Sequence, residues 1–97
     1  MLSSKQRANL RSQANEMRDH LIIGKGGLTP SVIDEINIAL YNNELIKISV
    51  LKNCDSDIKE MAHTAARMLY AEVVQVIGGK FVLYKITEKE DFEHIKF

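Results

Sequence analysis

The stretch "LIIGKGGLTPSVIDEI" (Leu21–Ile36) decides how the chain is to be read. Three apolar residues run into Gly24-Lys25-Gly26-Gly27, and a helix start follows at once. Residues 20–24 fit a short buried strand. Thr29 is a good N-cap, because its hydroxyl can accept a first-turn N–H that has no partner inside the helix. Pro30 suits the first helical position, where a missing N–H costs nothing. Val32, Ile33, Ile36, Ala39 and Leu40 then share one face of a helix over residues 30–43, with Asn42-Asn43 as its stop. A strand, a glycine turn and a helix make one β-α unit, and that unit predicts an α/β fold.

The same reading extends in both directions. Residues 4–18 predict a helix, with Leu10, Ala14 and Met17 at helical spacing and no Gly or Pro to interrupt them. "ELIKISVL" (44–51) predicts a strand in which Ile46, Ile48 and Val50 alternate with Lys47 and Ser49. Residues 55–72 predict a third helix with Ile58, Met61, Ala62, Ala65 and Leu69 inside. Asp57 and Glu60 have capping-box spacing there, and Ser56 competes for the cap. "VVQVIGGKFVLYKI" (73–86) predicts two strands around a Gly78-Gly79 turn. The last eleven residues are charged and predict a short added helix or a frayed end. The 97-residue chain is therefore expected to be one compact α-β-α-β-α-β-β domain over residues 1–86 with an acidic tail over 87–97. Helices linking strands, followed by a hairpin, imply a small four-stranded mixed sheet packed with three helices.

Enzyme readings of the glycine loop fail on its residues. A nucleotide-triphosphate loop needs lysine after its last glycine and then Ser or Thr to hold magnesium. Here Lys25 sits between glycines. A dinucleotide fingerprint needs a third glycine where Thr29 stands. What survives is a loop at a helix N-terminus, where unpaired N–H groups favour an anion, glycines admit a phosphate closely and Lys25 adds a charge. Gly24-x-x-Gly27 is also the G-x-x-G spacing that clamps backbone in one class of RNA-binding module. A tight turn that needs glycine for positive φ fits the same residues.

Net charge is zero, yet it is unevenly spread. Residues 1–29 hold Lys5, Arg7, Arg11, Arg18 and Lys25 against Glu16 and Asp19, a net +3. On a continuous helix Arg7, Arg11 and Arg18 would fall within about 40° of one another beside the apolar stripe. Guanidinium forks in such a row suit phosphate, and a solvated helix face would look the same. Cys54 is the only cysteine, and His20, His63 and His94 lack metal spacing, so neither a metal nor a cofactor is expected. No serine has a recognisable His and acidic partner. Tyr41, Tyr70, Phe81 and Tyr84 fit core or strand faces, which favours recognition of backbone or shape over stacking on single strands. No apolar run reaches the roughly 20 residues of a membrane span, and no secretory signal is evident, so a cytoplasmic protein without a membrane partner is expected.

Four segments together carry a resemblance: "LSSKQRANLRSQANEM", "IIGKGGLTPSVIDEINIAL", "ELIKISVL" and "VVQVIGGKFVLYKI". In this order and at these distances they resemble the YhbY-like, or CRM (chloroplast RNA splicing and ribosome maturation), domain family over about residues 2–86. The resemblance implies a fold similar to the C-terminal domain of translation initiation factor three. It also implies a non-catalytic RNA-binding protein with no small-molecule substrate. Bacterial members are associated with precursors of the large ribosomal subunit, and plant relatives carry the domain in group II intron splicing factors. The family's RNA-binding loop matches Gly24, Lys25, Gly26 and Gly27, and its basic positions map onto Lys5, Arg7 and Arg11, with Arg18 as a further candidate. The family is commonly more basic than this chain, and the tail lies outside its pattern. A module that docks on ribosomal or assembly proteins is the alternative reading.

Overall fold

Residues 2–52, 54 and 57–97 are described by a computed structural model. Its elements are α1 (Ser4–Ala14), β1 (Leu21–Ile23), α2 (Pro30–Asn43), β2 (Leu45–Val50), α3 (Ile58–Leu69), β3 (Glu72–Ile77) and β4 (Lys80–Tyr84). The strands form one four-stranded sheet in the order β1-β2-β4-β3. β1 runs parallel to β2, and β4 runs antiparallel to both β2 and β3. The final hairpin thus inserts its second strand between β2 and β3, and the sheet is mixed as expected.

Side chains alternate across the strands and build two cores. Ile23, Ile46, Ile48, Val50, Phe81 and Leu83 pack against Ile36 and Leu40 of α2 and Met61, Ala62, Ala65 and Ala66 of α3. On the opposite face, Leu45, Val74, Val82 and Tyr84 pack against Leu2 and against Leu10 and Ala14 of α1. The arrangement is three layers, with two helices on one face and one on the other.

α2 spans the expected residues because its signals are local. Thr29 Oγ1 accepts the Val32 N–H at 3.2 Å, and Pro30 occupies the first turn. α1 begins with a capping box in which Ser3 and Gln6 bond each other's backbone. It ends at Ala14, four residues before the expected Arg18. Beyond Ala14 the chain tightens, with Glu16 N–H on the Gln13 carbonyl and Met17 N–H on that of Ala14. That turn still delivers Met17 to the α1 core, so apolar spacing persisted past the helix. It also aligns His20 with β2, where the His20 N–H donates to the Lys47 carbonyl at 2.7 Å. α3 is likewise shorter than expected. The Asp57 carboxylate caps it by accepting from the Lys59 and Glu60 N–H groups. Asp55 and the competing cap Ser56 lie outside the described residues. Tyr70 ends α3 in the left-handed region (φ 57, ψ 37), and Glu72 already belongs to β3. A bulky residue in that region costs about 1–2 kcal/mol.

Residues 87–97 form no helix or strand and fold back on the domain. Their anchor is Glu44, fully buried and also at positive φ (64°). Its carboxylate accepts from the Thr87 N–H (2.8 Å) and the Ile95 N–H (2.9 Å) and meets His94 Nδ1 at 2.6 Å. Thr87 Oγ1 donates to the Tyr41 carbonyl, Gln13 Nε2 to the Lys96 carbonyl, and Phe97 stands edge-on to Tyr84. Burial alone would push the Glu44 carboxyl up. The bonds from Thr87 and Ile95, with the bond and charge of His94, outweigh it and hold the group below its ordinary 4.5.

A folded value below the unfolded one stabilises the fold fully above the unfolded value and loses that contribution as pH falls through the folded value. Glu44→Gln should therefore cost about 2 kcal/mol near neutral pH and flatten the acid limb of the stability curve, as urea melts from pH 7 to about pH 3 will read.

Candidate nucleic-acid interface

The glycine loop leaves β1 where the Leu51 N–H bonds the Ile23 carbonyl, and it turns tightly through a Gly27 N–H to Gly24 carbonyl bond of 3.1 Å. Its three glycines are not equivalent. Gly27 is buried with φ 66, so the backbone itself favours glycine there. Gly24 and Gly26 take no positive φ. An added Cβ at Gly24 would lie 3.8 Å from Leu51 Cδ1, and at Gly26 3.5 Å from Thr29 Cγ2, both ordinary contacts. The fold would accept alanine at either. Lys25 and Gly26 are exposed, and among the described residues their N–H groups find no acceptor and Lys25 forms no ion pair. At the adjacent start of α2, Val32 and Ile33 already donate to Thr29 and Pro30 has no N–H. The open donors for an anion are therefore the loop amides and Ser31 more than the helix end as a whole.

The helix-1 cations do not gather round this loop. The start of α1 is tied to β3: the Leu2 N–H donates to Glu72 Oε1 at 3.0 Å, and Arg7 Nε donates to the Val73 carbonyl at 3.1 Å. The turn that follows it is tied to β2, where Lys47 Nζ donates to the Met17 carbonyl. α1 thus crosses the sheet from the β3 edge towards β1. Val73 and Gly24 sit at diagonally opposite corners, on the order of 20 Å apart by ordinary strand spacing and rise. Arg7 is half-buried and supports the fold, Arg11 lies one turn on, and exposed Lys5 stands in the first turn. Arg7 and Arg11 border the side of α1 away from the tail, because the opposite flank carries Gln13 and its bond to Lys96. Arg18 lies beyond the helix and is exposed. Asp19 beside it is engaged by Lys80 at 2.9 Å. Burial holds His20 below its ordinary 6.5 against the pull of Asp19, and its Nδ1 accepts the Lys47 N–H, so it adds no cation at neutral pH. The basic residues form a track along α1 with a separate loop, and not one cluster.

Two tyrosines expected in the core or on strand faces are at the surface. Tyr41 is 51% and Tyr70 88% exposed, while Phe81 and Tyr84 are buried as expected. Tyr41 falls about 140° from the centre of the α2 stripe, on its solvent side, and the left-handed turn at Tyr70 throws it outward. An open groove of about 540 Å³ beside the end of α3 collects Arg7, His63, Arg67, Glu72 and Val73. The sequence gives His63 no metal spacing and marks Arg67 by nothing but its one-turn distance from His63 on the polar side of α3. Among the described residues no three His, Cys, Asp or Glu side chains gather as a metal ion requires, and no helix is long and apolar enough to cross a membrane.

The family model of the CRS1/YhbY (CRM) domain matches residues 2–85. A Bacillus subtilis protein named "Probable RNA-binding protein YqeI" is 41% identical over 89 residues, spanning 92% of this chain and 93% of its own. A Haemophilus influenzae protein named "RNA-binding protein" is 37% identical over 89 residues, 91% and 89% of the two chains. The solution structure of SAV1595 from Staphylococcus aureus superposes with a TM-score of 0.79 at 41% identity, covering 94% of this chain and 95% of that one. With the family model and these relatives in agreement over nearly the whole chain, the chain belongs to the CRS1/YhbY (CRM) domain family.

Proposed function

We propose that this protein is a non-catalytic RNA-binding factor that associates with precursor RNA of the large ribosomal subunit during ribosome assembly. The relatives named for RNA binding support the class of partner. The observation that carries the reading lies in the loop. Gly24 and Gly26 are glycine although neither backbone nor packing requires it. A missing side chain that the fold does not need serves whatever approaches from outside. Beside it stand Lys25 and amides without acceptors among the described residues, which is the chemistry of a phosphate grip. In this reading the loop holds one stretch of backbone, Lys5, Arg7 and Arg11 hold another along α1, and Arg18 adds a contact from the turn beyond that helix. Contacts of that kind position RNA and specify little of its sequence. Zero net charge confines the attraction to this front and keeps long-range steering weak.

The test is binding of the full chain to precursor and mature large-subunit RNA at about 50 and about 200 mM salt. With about three phosphate contacts to unpaired RNA, affinity should fall roughly 20-fold over that range. Salt-insensitive binding would contradict a phosphate grip. Lys25→Ala should weaken binding and make the salt slope shallower by about one contact, with an unchanged melt.

The two glycine variants separate grip from turn. Gly26→Val should keep the melting temperature and lose RNA. Gly27→Val should lower the melting temperature, because a β-branched residue is forced to φ 66. Equal thermal damage from both, measured beside binding curves, would reduce the loop to a turn.

A further inference from the structure

We infer that the groove between α1, the end of α3 and the start of β3, with Tyr70 at its border, is a second RNA contact, in which an unstacked base lies on Tyr70 and the neighbouring phosphate on Arg67. The inference rests on the RNA-binding reading above and adds to it a preference for single-stranded RNA. Its starting point is Tyr70. The residue that ends α3 is 88% exposed, so its ring contributes almost nothing to either core. It is held at φ 57, where glycine is the common choice at helix ends. The fold thus carries a strained aromatic that packing does not repay. Strain retained without a packing reason points to function.

The surroundings suit a nucleotide. Tyr70 follows Arg67 by three residues and directly precedes Ala71, and Arg67 and Ala71 both line the groove, so the exposed ring starts at its border. His63 stands one turn further back and, with Arg67, lines the groove. Arg7 lines its other wall, with Nε fixed on the Val73 carbonyl and its remaining guanidinium N–H groups without acceptors among the described residues. Glu72 is the acidic member, and its carboxylate accepts the Leu2 N–H. The helix dipole at this end favours a cation and accounts for Arg67 by itself. It does not account for an exposed ring beside it. An aromatic face next to guanidinium groups is the platform on which single-stranded RNA stacks, whatever its base. A duplex hides its base faces and cannot use it.

The groove and the glycine loop sit at opposite corners of the sheet, so one strand lying along α1 would touch both. The experiment uses the full chain, a fluorescent oligouridylate of about ten nucleotides and an RNA duplex of the same length. Tyr70→Gly should melt at the same temperature or higher and bind the single strand at least about fivefold more weakly. Tyr70→Phe should bind as wild type, because the ring is retained. Arg67→Ala should weaken binding and make the salt slope shallower. The duplex should be indifferent to Tyr70. Wild-type affinity in Tyr70→Gly, or equal losses in Tyr70→Gly and Tyr70→Phe, would overturn the stacking contact. Binding to large-subunit precursor RNA without binding to oligouridylate would overturn it too, and leave the RNA-binding reading standing. Failure of wild type on every RNA would remove both.

Discussion

The fold depends on β4. It is the one strand of this sheet that is antiparallel to both of its neighbours, and its side chains alternate between two cores. Phe81 and Leu83 enter the core under α2 and α3, and Val82 and Tyr84 enter the core under α1. All four are buried. A slip of one residue would exchange the two sets and empty both cores of their shapes. The register is held by the two-residue Gly78-Gly79 turn, with Gly78 at φ 56, and by the Val50 N–H on the Gly79 carbonyl. The glycine loop is fastened to the same end of the sheet through Leu51. The glycine loop is therefore carried at the same end of the sheet as the turn that fixes this register.

Much of this architecture was legible because its signals are local. Thr29, Pro30 and the Val32–Leu40 face placed α2 to the residue. The alternation of Ile46, Ile48 and Val50 gave the buried face of β2. The four-stranded mixed sheet also came out as expected, and what failed was the placement of particular side chains that distant segments decide. Apolar spacing through Met17 could not reveal that a tight turn, and not helix, brings it inside. The row of Arg7, Arg11 and Arg18 presupposed that turn to be helical, so Arg18 fell off it. The loop itself was recognisable from four residues. Its separation from Arg7 was not, because it follows from the strand order β1-β2-β4-β3. Tyr70 was misplaced for a related reason. Nothing in its neighbours announces a left-handed tyrosine, since helix ends are usually signalled by glycine.

The tail shows how a formally acidic segment can be structural. Its exposed carboxylates face solvent, while its backbone and His94 close around a carboxylate of the domain, Glu44. A buried anion needs donors on every side. Two backbone N–H groups from the tail and one imidazole supply them, and the chain thereby gains a contact between residues 44 and 87–95 that composition could not suggest. Ile95 and Phe97 extend the core under α1 from the same direction.

The bond from Arg7 to the Val73 carbonyl has a consequence for how copies of this protein treat one another. β1 and β3 are the edges of the sheet, and an open edge is a template for strand addition. β1 offers only three residues. β3 is longer, but its register shifts between Val73 and Gln75, and beside that irregularity Arg7 occupies a backbone acceptor with a bulky cation. Neither edge presents the long, flat ladder from which aggregation starts. A small chain with a mixed sheet thereby offers a second copy little backbone to pair with.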